Sequence, residues 1–134
     1  MTEKEASLLS PLQLAYMGDS VWEMIVRSRL IEKRKNVKHM HQACVEEVNA
    51  GAQARCLAII RPILTETEES IVLRGRNAHP KHPSPRNQNP GDYAEATGFE
   101  ALMGYLYLTG DDKRLENLAE MIFDREALEG KKNA

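Results

Sequence analysis

A chain of 134 residues, 42% hydrophobic and 28% charged, is long enough to bury one core and too apolar for a disordered segment. No apolar run approaches the roughly 20 residues that cross a bilayer. Lys4 between Glu3 and Glu5 spoils the basic-then-apolar start of a secretory signal, and two cysteines, Cys44 and Cys56, are too few for a disulfide framework. The expectation is one cytoplasmic globular domain, residues 1–134, with both thiols buried.

Strand signals are missing, while apolar spacings of three and four recur along the chain. A first helix starts at Ser10-Pro11, with Gln13 completing a capping box, and runs to about Glu32 before the basic cluster Lys33-Arg34-Lys35. A second spans Val37 to Ala50 behind Asn36 as cap. Gly51 separates it from a third, which Pro62 ends or kinks. Thr65 with Glu68 forms another capping box and opens a fourth helix through about Arg76. Asn77 to Gly91 is irregular and holds four of the six prolines, a length usual for functional or flexible segments. Asp92 with Glu95 caps a fifth helix that Gly110 terminates, and a sixth runs from Asp112 to about Leu128. The expected fold class is all-α, a helical bundle with no sheet.

Net charge is −2, but its distribution is uneven. Arg74 to Gly91 contains Arg74, Arg76, Lys81 and Arg86 and no acid, which leaves 14 basic against 20 acidic residues elsewhere. Such a segment is either an anion-binding loop or a solvated connection.

Two acids stand out. The first helix is apolar nearly all round, as a helix at the centre of a domain would be, yet carries Gly18-Asp19 in its middle. In the fifth, Glu100 is the one acid beyond the first turn, flanked at three and four by Ala96, Thr97, Met103 and Gly104; the small residues allow a close helix approach. Either each acid meets a buried cation such as Arg27 or Arg55, or the two share a site. Shared carboxylates are hard oxygen ligands suited to Mg²⁺ or Mn²⁺ completed by water and substrate phosphate. His39 and His41, two apart, share no helix face and read as surface residues. Neither zinc spacing nor a glycine-rich phosphate loop is present.

These residues carry a resemblance. LAYMGDSVWE (Leu14 to Glu23) and ATGFEALMGYLYLTGD (Ala96 to Asp111) resemble the two signatures of the ribonuclease III catalytic domain in order, separation and helical setting. RGRNA (Arg74 to Ala78) before a proline-rich stretch resembles the catalytic-domain-only branch, Mini-ribonuclease III. The resemblance implies a homodimeric endoribonuclease that hydrolyses double-stranded RNA with divalent metal, leaving 5′-phosphates and 3′-hydroxyls. In that branch it also implies maturation of large-subunit (23S) ribosomal RNA precursors. By position, Asp19 and Glu100 match catalytic, metal-binding acids. No double-stranded-RNA-binding domain is expected beyond the catalytic one.

Three departures follow. Carboxylates of the larger enzymes align with Leu12, Ala15 and Thr97, so the site would carry two acids and lean on water, backbone or RNA for the remaining coordination. The first-signature helix would form the dimer interface, with Leu14, Met17, Val21 and Trp22 as favoured contacts, although core packing within one subunit explains them almost as well. Duplex RNA presents mainly phosphates and 2′-hydroxyls, which places binding on Arg74, Arg76, Lys81 and Arg86, the first two nearest the helix and best positioned, with Lys33, Arg34, Lys35 and Lys38 next in line. The competing reading is a non-catalytic RNA- or ribosome-binding module of the same fold; a buried acid pair speaks against it.

Overall fold

A side chain sets each helix start. In the computed structural model, which describes residues 1–34, 36–78 and 89–132, Thr2, Ser10, Asn36, Asn49, Thr65 and Asn89 each accept a hydrogen bond from a backbone N–H of the following turn. Asp111 does the same for the N–H of Arg114. The elements are α1 (Glu3–Ser7), α2 (Pro11–Glu32), α3 (Val37–Val48), α4 (Ala50–Ile60), a 3₁₀ turn (Arg61–Ile63), α5 (Glu66–Arg76), α6 (Pro90–Leu108) and α7 (Asp112–Lys132). The described residues contain no strand, so the fold is all-α as expected.

Several boundaries differ from the sequence reading. α3 stops at Val48 because Asn49 turns extended, at φ −71° and ψ 164°, and caps α4; Gly51 lies inside α4. α6 starts at Pro90 behind Asn89, so the Asp92 N–H is a donor in the first turn and Asp92 is not the cap. Glu95 makes no capping box and instead pairs with Arg61 and Arg76. α1 is an element beyond the six expected, although Thr2 and Glu5 form a capping box legible in the sequence. Most of the expected loop, Lys81 and Arg86 included, lies outside the described residues.

The central helix is α6, not α2. Ten residues of α6, from Ala96 to Leu106, are buried, and α2, α5, α4, α7 and α1 all pack on it. α2 covers one flank and leaves an apolar stripe in water, with Tyr16 83% exposed beside Leu12, Met24 and Ile31. Its near-continuous apolar circumference therefore reflects a second surface rather than a central position. Trp22 anchors the covered side, edge-on to Phe99 at 5.0 Å and stacked on Phe123 at 5.6 Å. Leu14, Val21 and Trp22 are buried in this core and Met17 is half-buried, so packing within one subunit, the alternative to a dimer contact, accounts for the first three. Among the described residues no helix is long and apolar enough to cross a membrane.

Candidate active site

Glycine brings the two acids together. A Cβ on Gly18 would collide with the backbone carbonyl of Glu100, and a Cβ on Gly104 with that of Leu14. The α2 and α6 backbones can touch only because both positions lack a side chain, and that contact sets Asp19, the next residue of α2, beside Glu100. Gly75 and Gly98 serve the same purpose between α5 and α6 on another side of the central helix.

The pair is asymmetric. Glu100 is half-buried, whereas Asp19 is exposed, which corrects the expectation that both sit in apolar surroundings. The cause is again the flank position of α2: its Asp19 face opens to water. The Glu100 carboxyl is pushed up to about 8, chiefly by burial, then by hydrogen bonding with Asp19 and the charge of Asp19; a hydrogen bond from Gln53 acts in the opposite direction. Neither acid forms an ion pair with Arg or Lys among the described residues. Arg27 reaches Glu23 at 3.8 Å on the surface, and Arg55 is exposed on α4. The described residues thus favour a shared site over two separate buried ion pairs.

Gln53 is the polar group beside the acid pair that the sequence reading does not single out. It is 2% exposed on α4 and takes a place on the core face with Cys56, Leu57 and Ile60. Positions 53, 56, 57 and 60 follow helical spacing, so a lone amide in an apolar stripe was a readable signal.

The remaining candidates settle elsewhere. Arg74 is half-buried and spends its guanidinium on the chain itself, donating to the carbonyls of Ser7 at 3.3 Å and Leu9 at 3.0 Å. Arg76 pairs with Glu95 at 2.9 Å, and Glu95 also accepts from Arg61 at 3.2 Å. Thr97 donates its hydroxyl to the carbonyl of Tyr93 at 3.0 Å. His39 and His41 are exposed as expected. Cys44 and Cys56 are buried free thiols, and burial, with Glu126 and Glu47 nearby, pushes Cys56 up to about 12, so it is inert as a nucleophile.

Among the described residues no group of three or more His, Cys, Asp or Glu side chains gathers as a metal cage. Two carboxylates, one of them desolvated beside the other, still fit a hard divalent cation, since a positive charge there would relieve the repulsion and the burial cost together.

An all-helical core sets a carboxylate pair, able to take a cation, at a glycine-mediated helix crossing, and the comparisons identify the family. The Ribonuclease III domain profile matches residues 12–111, a range that includes both acids. Mini-ribonuclease 3 of Symbiobacterium thermophilum is 45% identical over 117 residues, 87% of this chain and 89% of that protein. Mini-ribonuclease 3 of a Thermoanaerobacter species is 40% identical over 122 residues, 90% of this chain and 85% of that one. A crystal structure of a Fusobacterium nucleatum protein superposes with a TM-score of 0.80 at 27% identity, covering 89% of this chain and 95% of that one. The chain belongs to the ribonuclease III family. It is an endoribonuclease, similar over most of its length to proteins named Mini-ribonuclease 3.

Proposed function

We propose that this endoribonuclease cuts double-stranded RNA at the Asp19–Glu100 pair with the help of a divalent cation, Mg²⁺ or Mn²⁺. The observation that carries the reading is the Glu100 carboxyl, raised by burial and by Asp19 and matched by no cationic side chain among the described residues. A carboxylate held beside another acid without a cationic partner is the mark of a group awaiting a ligand rather than of a structural ion pair. A cation bound there would supply the positive charge that activates water and offsets charge developing on the scissile phosphate. The chain's own groups bind and orient it. Asp19 presents its carboxylate from the solvent side, and Glu100 gives up its proton on binding and holds the inner side.

Cutting both strands of a duplex calls for two sites related by a two-fold axis, so the active form is a homodimer. The exposed apolar stripe of α2 supports this, because Tyr16 and Leu12 lie within two turns of Asp19. The family resemblance makes a cytoplasmic precursor of 23S ribosomal RNA the natural substrate. RNA backbone contacts fall on the acid-free segment, Lys81 and Arg86 foremost. Arg74 and Arg76 remain candidates at its base, each already sharing its guanidinium with the protein.

The test is cleavage of an end-labelled RNA duplex with and without Mg²⁺, with the oligomeric state read by light scattering in the same preparation. The wild-type chain should cleave as a dimer only with metal. Asp19→Asn and Glu100→Gln should each lose roughly a thousandfold or more while keeping their helical spectrum. Metal-dependent cleavage at a near wild-type rate by either variant would overturn the assignment.

A further inference from the structure

The carboxylate pair is underlain by a third polar group that the proposed chemistry does not yet use. α4 packs against α6, and its core face consists of Ala52, Gln53, Cys56, Leu57 and Ile60. Every member of that set except Gln53 is apolar or a thiol. A leucine or methionine at position 53 would fill the same space, and burying an amide instead destabilises a fold unless the amide finds partners. Gln53 is as deeply buried as the aliphatic residues around it, and the side chain it meets is Glu100. The three groups form a series from water inward: Asp19 exposed, Glu100 half-buried, Gln53 sealed.

We propose that Gln53 is a positioning residue for the metal-binding carboxylate: its amide N–H, sealed beneath Glu100, donates to that carboxylate and fixes its rotamer, leaving the other lone pairs for the cation shared with Asp19. The inference rests on the reading of Asp19 and Glu100 as the metal site and adds to it the group that holds Glu100 in place. Chemistry supports the role. An ionised carboxylate has about four acceptor sites and needs only some of them for a cation. A donor from the protein side restrains a long, three-torsion side chain that would otherwise lose entropy on binding. A site with two acids has fewer ligands with which to tolerate a wandering one, so such support matters more here than in a carboxylate-rich cage.

Gln53→Met, near-isosteric and unable to donate, separates this role from simple packing. Without RNA, Mn²⁺ is titrated into the ¹⁵N-labelled chain and paramagnetic broadening of the amide signals around Asp19 and Glu100 is followed. In parallel, the Mg²⁺ concentration giving half-maximal cleavage of an RNA duplex is measured. The proposal expects broadening of the same signals at about 10–100-fold higher Mn²⁺ in the variant. It expects the half-maximal Mg²⁺ to rise comparably, with most of the maximal rate recovered at saturating metal. Unchanged Mn²⁺ and Mg²⁺ dependence in a folded variant overturns it and leaves Gln53 a packing residue. Should the variant fold poorly, the Gln53 side-chain amide signal of the wild-type chain decides: it must shift when Mg²⁺ is added, and a stationary signal overturns the proposal. If Mn²⁺ broadens neither neighbourhood in the wild-type chain, the reading of the acid pair itself falls, an outcome distinct from failure of Gln53 alone.

Discussion

Glu68 and Glu100 are both carboxylates drawn into helix interfaces, and their surroundings treat them in opposite ways. Glu68 on α5 is 5% exposed and meets Arg114 of α7 through two parallel hydrogen bonds, Nε to Oε2 at 2.9 Å and Nη2 to Oε1 at 2.8 Å. It also accepts from the Thr65 N–H at 2.9 Å, closing the α5 capping box. Burial would raise its carboxyl, but the hydrogen bonds from Arg114 and Thr65 outweigh burial and hold it below the usual range. Glu100 has burial and the Asp19 charge on one side of the balance and only the Gln53 hydrogen bond on the other, and it rises to about 8. An acid whose charge is already matched fastens two helices. One whose charge is opposed is poised to take a cation. On the proposed function, the difference separates a structural carboxylate from a functional one within a single core.

The contrast breaks most sharply at Arg114. Replacing it with methionine removes the cation, leaves Glu68 buried and unpaired, and also frees the Ile63 carbonyl that Arg114 binds at 3.0 Å. Arg114→Met should cost about 3–5 kcal/mol in urea unfolding at pH 7, the usual penalty for stranding a buried charge. A loss below about 1 kcal/mol would mean that Glu68 needs no partner, and the comparison with Glu100 would lapse.

Much of this was legible beforehand because it depends on local chemistry. Ser10, Asn36 and Thr65 announced their helices as caps, and Gly110 ends α6 as expected, with a positive φ of 76°. Asp19 and Glu100 announced themselves as acids in apolar helices. What stayed hidden depends on which helix lies at the centre. A pattern apolar all round cannot distinguish burial on every side from burial on one side and an exposed stripe on the other. Hence the pattern of α2 suggests the central place that α6 holds, and a burial that Asp19 lacks. Long-range partners were hidden for the same reason. Nothing near Arg74 in sequence indicates the Ser7 and Leu9 carbonyls, more than sixty residues away.

The same distinction sharpens, with a smaller effect, among the cations. Arg74 is committed to backbone carbonyls and Arg76 to Glu95, so replacing them alters stability as well as RNA affinity. Replacing Lys81 and Arg86 by alanine is expected to weaken duplex binding and to reduce the slope of log K against log salt by about 0.7–0.9 per lost phosphate contact. Fluorescence anisotropy across a salt series measures this. An unchanged slope would move the RNA contacts to Lys33, Arg34, Lys35 and Lys38.

The most direct test is the stability of wild-type, Glu68→Gln and Glu100→Gln chains from pH 4 to 9, measured by chemical unfolding without divalent metal. Glu100 has a folded-state value of about 8 against 4.5 unfolded, so between those values the folded state holds more protons and loses stability as pH rises. Glu100→Gln escapes that loss. It should match the wild-type chain near pH 4 and exceed it by on the order of a few kcal/mol at pH 8.5. Mg²⁺ added at pH 8.5 should narrow the gap by stabilising the wild-type chain. Glu68 is shifted the other way from 4.5, so its contribution is present above that value and fades as pH falls through its lower folded value. Glu68→Gln should therefore be the less stable chain at neutral pH and approach wild type in acid. If Glu100→Gln is instead less stable than wild type at pH 8.5, Glu100 is a structural acid like Glu68, and the account of the site fails.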